Sequence, residues 1–218
     1  MRSFSVFSWF VTFLAPFAII MLAVRILLTP VFPEIEYRMP AFPNDPYGFT
    51  LEDRLRWAKP SIEYLTNGAE ISYLGNLEFD NGTPIYNERE LSHMHDVKLV
   101  VQSLLRNWYF ALVALIGLGV WAWRGGWLAD YLNGWRRGGW LTVGLLVGIG
   151  LFAAISFRQF FTLFHGLFFT GDSWIFLYSD TLIRLFPIRF WMDCVAYIAG
   201  FSLLCGLALG LRLKRYAN

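Results

Sequence analysis

Four stretches of the chain lack Asp, Glu, Lys and Arg: Ser3 to Val24, Asn107 to Trp123, Gly138 to Phe157, and Cys194 to Leu211. They hold 22, 17, 20 and 18 residues, against the roughly 20 that a helix needs to cross a hydrocarbon core. Leu104 and Leu105, ahead of Arg106, can lengthen the second. The first stretch is longer than the roughly 7–15 residues of a secretory signal core, and no small-x-small cleavage site follows, so it reads as a retained anchor. The pattern predicts an α-helical polytopic membrane protein with transmembrane helices at 1–28, 105–124, 139–163 and 188–211.

Between the first two spans, residues 29–104 break this pattern and predict a small mixed α/β domain. Prolines at 30, 33, 40, 43 and 46 suit an irregular, extended connection. Thr50-Leu-Glu-Asp53 is a variant capping box opening a helix, with Pro60 as an interruption and Asn67-Gly68 as its stop. Ala69 to Tyr86 reads as short strands, turning at Asp80-Asn-Gly82, with Pro84 holding the returning strand at an edge. Asn87-Glu-Arg-Glu90 places a cap and an acid three residues apart, so a helix starts there and runs toward the second span.

Composition supports the membrane reading: 56% of the residues are hydrophobic and 19% aromatic, with a mean hydropathy of +0.47. The net charge of +2 says little, but its distribution says more. Arg124, Arg136 and Arg137 mark the short loop 125–138, and Arg212, Lys214 and Arg215 mark the tail 212–218. The positive-inside bias puts both in the cytoplasm. The cap 29–104 and the loop 164–187 then lie on the extracytoplasmic side. Residues 29–105 hold twelve of the sixteen acids against six Lys and Arg, and nothing basic here points to nucleic acid. Cys194 and Cys205, eleven apart on one helix, stand about 16 Å apart along its axis and cannot form an intrachain disulfide.

The candidate chemistry collects in two clusters. In the first, Arg89, His93 and Asp96 share one helical face, and an acid one turn from a histidine can fix its tautomer. His95 lies roughly 200° round the wheel from His93. The second cluster runs from Phe164 to Trp174 and holds His165, Asp172 and Ser173 among aromatic residues. Phe168 and Phe169 read as interfacial belt anchors, whereas a histidine at headgroup depth carries a desolvation cost that favours function. Around Pro187, Asp180, Arg184, Arg189 and Asp193 can pair with each other or with headgroups. Three chemistries stay open: metal-assisted hydrolysis on His93, His95 and His165, an acyl enzyme on Cys194 or Ser173, and general acid–base catalysis by histidine. The last fits best, with no metal and no cofactor. A non-enzymatic membrane scaffold, sensor or transporter is the competing class.

Tyr86 to Lys98 (Tyr-Asn-Glu-Arg-Glu-Leu-Ser-His-Met-His-Asp-Val-Lys) resembles the signature of the bacterial lipoprotein intramolecular transacylase (Lit) family. The Phe-His-Gly-Leu-Phe-Phe-Thr-Gly-Asp-Ser-Trp run from Phe164 and Leu-Ile-Arg-Leu-Phe-Pro from Leu182 are similar to the same family. His95 departs from the family pattern and is expected to be a surface substitution. The resemblance implies an acyltransferase of the cell membrane whose partners are diacylated bacterial lipoproteins and membrane lipids. It would move the sn-2 acyl chain of the diacylglyceryl-cysteine to that cysteine's own α-amino group, leaving an N-acyl, S-monoacylglyceryl (lyso) lipoprotein. Catalytic roles then fall on His93, Asp96 and His165, with His93, oriented by Asp96, preferred as the base and His165 as the donor. Arg89, Lys98, Asp172 and Trp174 are expected to orient the substrate.

Overall fold

A computed structural model describes residues 5–213. Lys214 and Arg215, used above for orientation, lie outside the described residues. The helices in chain order are α1 (Ser5–Leu27), α2 (Val31–Glu36), α3 (Leu51–Thr66), α4 (Ser72–Gly75), α5 (Glu88–Arg124), α6 (Leu128–Ile155), α7 (Phe157–Phe168), α8 (Thr181–Leu185) and α9 (Ile188–Arg212). Four of them, α1, α5, α6 and α9, are long and apolar enough to cross a membrane. The chain is a multi-pass membrane protein. At 37 residues, α5 is roughly 55 Å long, well beyond a hydrocarbon core of about 30 Å. Its first turns carry the polar sequence that includes both His93 and Asp96.

The helices divide into two compact units. The first holds α1 up to Val24, α5 from Leu104, α6, and α9 from Ala196. Here the backbones approach closely, because lipid tails give no hydrophobic drive for helices to associate and packing must supply it. A Cβ on Gly134 would lie 2.6 Å from the Ser8 carbonyl oxygen, and one on Gly138 would lie 2.5 Å from the Ala15 Cβ. Across the other face of α6, a Cβ on Gly139 would come within 2.6 Å of the Gly206 carbonyl oxygen. The spacings Gly134–Gly138 and Gly206–Gly210 are both Gly-x-x-x-Gly. Polar groups add to these seams: Thr12 Oγ1 donates to the Gly134 carbonyl at 3.2 Å, and Trp108 Nε1 to the Ala18 carbonyl at 3.0 Å.

The second unit holds Arg25–Ser103 and Arg158–Val195. Its core packs Trp57, Tyr64, Leu74, Tyr86, Met94, Leu185 and Phe190. α3 opens on the expected capping box: the Thr50 hydroxyl accepts from the Asp53 amide at 3.1 Å, and the Asp53 carboxylate accepts from the Thr50 amide at 2.9 Å. It closes at Asn67. Pro60 does not interrupt it: the ring sits inside the helix, leaving the Arg56 carbonyl without its usual amide partner. The proline-rich connection is also less extended than expected. Pro30 caps α2 and Pro33 lies in its first turns, where a missing N–H costs nothing. α5 starts on a reciprocal cap between Asn87 and Glu90, with amide-to-side-chain bonds of 2.9 and 3.0 Å.

The mixed α/β expectation is corrected, because the described residues contain no strand. Of the segment Ala69–Tyr86, Ser72–Gly75 is a helical turn, and the rest makes one isolated antiparallel bridge, Glu78 to Pro84. The turn at Asp80-Asn-Gly82 does form, with Gly82 at φ +80 and its amide on the Phe79 carbonyl at 2.8 Å. The ladder stops there because the Leu77 amide turns back to the Leu74 carbonyl at 3.1 Å, while the Ile85 carbonyl takes the Thr181 hydroxyl at 2.6 Å.

The close seam of the first unit generates a stability prediction. Gly139→Ala forces α6 and α9 apart, since the new methyl meets backbone rather than a flexible side chain. A loss of about 1–3 kcal/mol is expected, read as a lower melting temperature in detergent, whereas Gly144→Ala, with nothing within 4 Å, leaves it unchanged.

Candidate functional site

His93 stands on the second turn of α5 and is 9% exposed. Its ring lies 6.5 Å from that of His165 on α7, with the planes 20° apart. Phe169 and Phe176 close over His93 at centroid distances of 5.0 and 5.2 Å. His165 is walled by Phe161 at 4.0 Å and Trp174 at 4.9 Å. The two histidines, 72 positions apart in sequence, thus face each other in a largely aromatic enclosure.

A hydrogen bond assigns the tautomer of His165, and burial argues that of His93. His165 Nδ1 lies 2.8 Å from the Phe161 carbonyl oxygen. A carbonyl only accepts, so Nδ1 carries the proton and Nε2 keeps its lone pair. Burial lowers the His165 pKa below its ordinary value, opposed by that same hydrogen bond. His93 Nδ1 is buried without a hydrogen-bond partner. An orphaned N–H is rarer and costlier than an orphaned acceptor, so the proton of neutral His93 belongs on Nε2. Asp96 is one turn away but makes no hydrogen bond to that nitrogen.

The remaining sequence candidates part company. Arg89 Nη1 donates to the Ile175 carbonyl at 3.2 Å and so ties α5 to the loop that carries Trp174 and Phe176. Arg89 is not paired with Glu90, a residue whose importance the sequence reading missed. Glu90 is 1% exposed and accepts the amides of Asn87 at 2.9 Å and Leu182 at 2.7 Å, joining the start of α5 to the start of α8. Its only advance signal was its place three residues after a cap. Lys98 is turned into the core: its Nζ donates to the Ala69 carbonyl and to Asn67 Oδ1, and sits 3.9 Å over the Tyr64 ring. Asp172 is exposed, with its backbone carbonyl taking the Ile175 amide at 3.0 Å. His95 is exposed as well.

Phe168 is exposed, as a belt anchor should be, but Phe169 packs on both histidines. Phe161 and Phe176 were not singled out in the sequence at all, although the spacing of four from Phe161 to His165 puts them on one helical face. Of the charges around Pro187, Arg189 pairs with Asp193, whereas Arg184 reaches Asp45 at 2.9 Å. Cys194 is buried and Cys205 partly so, and both are free. Among the described residues, no group of three His, Cys, Asp or Glu side chains is placed to hold a metal ion.

Fold and site together define a multi-pass membrane protein in which two neutral imidazoles meet beside a loop of aromatic residues. The family model "Lipoprotein intramolecular transacylase Lit" matches residues 9–191, and the chain belongs to that family of acyltransferases acting on lipoproteins. It is 32% identical over 192 residues to an uncharacterized protein of Aquifex aeolicus (strain VF5), covering 88% of this chain and 86% of that one. It is similar in fold to the in meso structure of the membrane integral lipoprotein intramolecular transacylase Lit from Bacillus cereus. There the TM-score is 0.81 at 22% identity, over 100% of this chain and 97% of the other. A variant of that protein with one histidine changed to arginine matches with a TM-score of 0.73 at 20% identity, over 97% of this chain and 90% of the other.

The anchoring of Lys98 separates stability from chemistry. Lys98→Met leaves two acceptors without their donor, and the melting temperature in detergent should fall by the equivalent of about 1–3 kcal/mol. Acyl transfer per folded molecule should change little. An activity loss that outruns the loss of folded protein would show that Lys98 acts on the substrate instead.

Proposed function

We propose that this chain moves the sn-2 acyl chain of a diacylglyceryl-cysteine lipoprotein to the α-amino group of that cysteine. The product is an N-acyl, S-monoacylglyceryl (lyso) lipoprotein. The observation that carries the histidine mechanism is the facing pair His93 and His165 with complementary nitrogens. The charge pattern of the sequence supports an extracytoplasmic site in the cell membrane, where the lipid-modified cysteine resides.

The steps follow from the tautomers. The neutral amine attacks the ester carbonyl carbon, and His165 Nε2 takes the proton that the nitrogen loses as the C–N bond forms. His93 Nε2–H donates to the carbonyl oxygen as it becomes an oxyanion. When the C–O bond to glycerol breaks, the imidazolium of His165 returns its proton to the glyceryl oxygen, so no proton is gained or lost overall. This reverses the roles preferred from sequence, because His93 Nδ1 has no acid to orient it whereas His165 Nδ1 is held by a carbonyl.

No serine or cysteine nucleophile is required, since amine and ester belong to one molecule and the enzyme's task is to hold them in contact. The wall of Phe161, Phe169, Trp174 and Phe176 limits the water that would otherwise hydrolyse the ester. Arg89 positions that wall through Ile175.

Mass spectrometry of a lipoprotein N-terminal peptide, from a bacterium lacking other N-acylating enzymes, tests this directly. Wild type should convert the diacyl form to the N-acyl lyso form. His93→Ala and His165→Ala should each lower conversion by about 10²-fold or more at normal protein levels, and His95→Ala should leave it intact. An unchanged diacyl form with wild type would sink the reading.

The acidic limb of the rate profile gives an independent check. His165 must be unprotonated, and its pKa is depressed, so its limb lies below the ordinary imidazole value of about 6.5. The substrate amine must be neutral too, with an ordinary pKa of about 7.7–8.0. The logarithm of the rate should therefore climb with a slope near one through neutral pH and steepen toward two only below about 6.5. A break toward slope two above that value would contradict the depressed imidazole.

A further inference from the structure

We infer that the first unit carries a binding groove for an anionic phospholipid, formed where α1, α6 and α9 meet. The groove has a volume of about 520 Å³, with Trp9, Phe13, Trp140 and Leu211 along its wall and Arg136 and Arg137 among its lining residues. The wall residues are between 47% and 66% exposed, so the groove opens onto the surface that lipid covers in a spanning helix bundle. Gly210 is part of its construction: a Cβ there would lie 2.9 Å from the Trp140 ring, which fills the space the missing side chain leaves.

Arg137 is prepared in a way that suits a phosphate. Arg137 is held in place, with Nε on Thr12 Oγ1 at 3.2 Å, Nη2 on Ser8 Oγ at 2.7 Å, and its guanidinium 4.4 Å from the centre of the Trp9 ring. Fixing the guanidinium in advance lowers the entropy lost when it receives a ligand. Both hydrogen-bonding neighbours are hydroxyls, and Asp130 acts on the charge through space without forming an ion pair with it. Among the described residues, neither Arg136 nor Arg137 forms an ion pair with a carboxylate. Two adjacent cations in apolar surroundings are costly without a counter-charge. An occupant that answers both requirements needs a compact anion and a long apolar chain. An anionic glycerophospholipid has both, and a zwitterionic one brings a cation that cancels the first. Basic pockets between spanning helices are where such headgroups settle. The site is distinct from the histidine pair, and its readout is lipid retention rather than acyl transfer.

The test titrates the detergent-purified full chain with phosphatidylglycerol or phosphatidylcholine and reads bound lipid by native mass spectrometry. Wild type should retain phosphatidylglycerol in preference, and Arg136→Gln should weaken it about fivefold. Arg136→Lys should keep most of the affinity, and added salt should erode it. Arg136→Gln decides the matter even where an Arg137 variant fails to fold, because Arg137 also braces α1. Equal retention of the two lipids, or retention unchanged in Arg136→Gln, overturns the proposal. So does displacement of the lipid by excess inorganic phosphate, which would make the arginines a site for free phosphate.

Discussion

The second unit is organised around one buried carboxylate. Two helix starts, those of α5 and α8, meet away from solvent, and each presents amides with no partner inside its own helix. Glu90 answers both, taking the Asn87 amide with one oxygen and the Leu182 amide with the other. Thr181 adds a second link across the same junction, its hydroxyl donating to the Ile85 carbonyl at 2.6 Å. A neutral or longer side chain could not serve both amides at once from this position. The consequence for the site is geometric. His93 is one turn beyond Glu90, so whatever fixes the start of α5 fixes the imidazole as well.

The loop opposite His93 is held by bonds of the same kind. Arg89 takes the Ile175 carbonyl, Asp180 takes the Leu177 amide at 2.8 Å, and Asn87 donates to the other oxygen of Asp180 at 3.3 Å. The start of α5 therefore serves two adjacent functions: Asn87 and Glu90 cap the helix, and Arg89 steadies the loop that carries Trp174 and Phe176. α7 itself buries no side chain fully. Its placement rests on ring contacts from Phe161 and His165 to Trp174, and from Phe161 to Trp191. This helix, with no fully buried side chain, carries one of the two histidines.

What could be read in advance was what is local. The four apolar runs, the cap at Thr50 and the cap at Asn87 each depend on residues within a few positions of each other. The spacing of His93 and Asp96 was equally local, and it misled in detail: sharing a face did not produce a hydrogen bond, since Nδ1 of His93 points into the packed interior. Ala69–Tyr86 was misread because β-prone residues beside an Asn-Gly turn imitate a hairpin. Whether strands form depends on a ladder that ends when the Leu77 amide is taken by Leu74 and the Ile85 carbonyl by Thr181. Pro60 was misread the other way, since burial of Trp57, Ser61, Ile62 and Tyr64 keeps α3 helical through it. The link from Glu90 to Leu182 spans 92 positions, and no periodicity could have announced it.

A neutral pair of imidazoles suits the proposed reaction. A charged base or acid would be expensive in an enclosure of aromatic rings, where the ionised form loses its hydration. Two neutral histidines in opposite tautomers offer one acceptor and one donor without creating any charge before the reaction begins. In the proposed reaction charge then appears only in the transition state, on the oxyanion and on the imidazolium of His165, and the two arise with opposite sign. In poorly solvated surroundings their attraction is larger than it would be in water. The same surroundings that depress the basicity of His165 would thus favour the ion pair that the proposed amine attack forms. Removing the aromatic wall would weaken that attraction and admit water together, so Phe161 and Phe176, which the sequence did not single out, join Phe169 in the proposed site alongside the histidines.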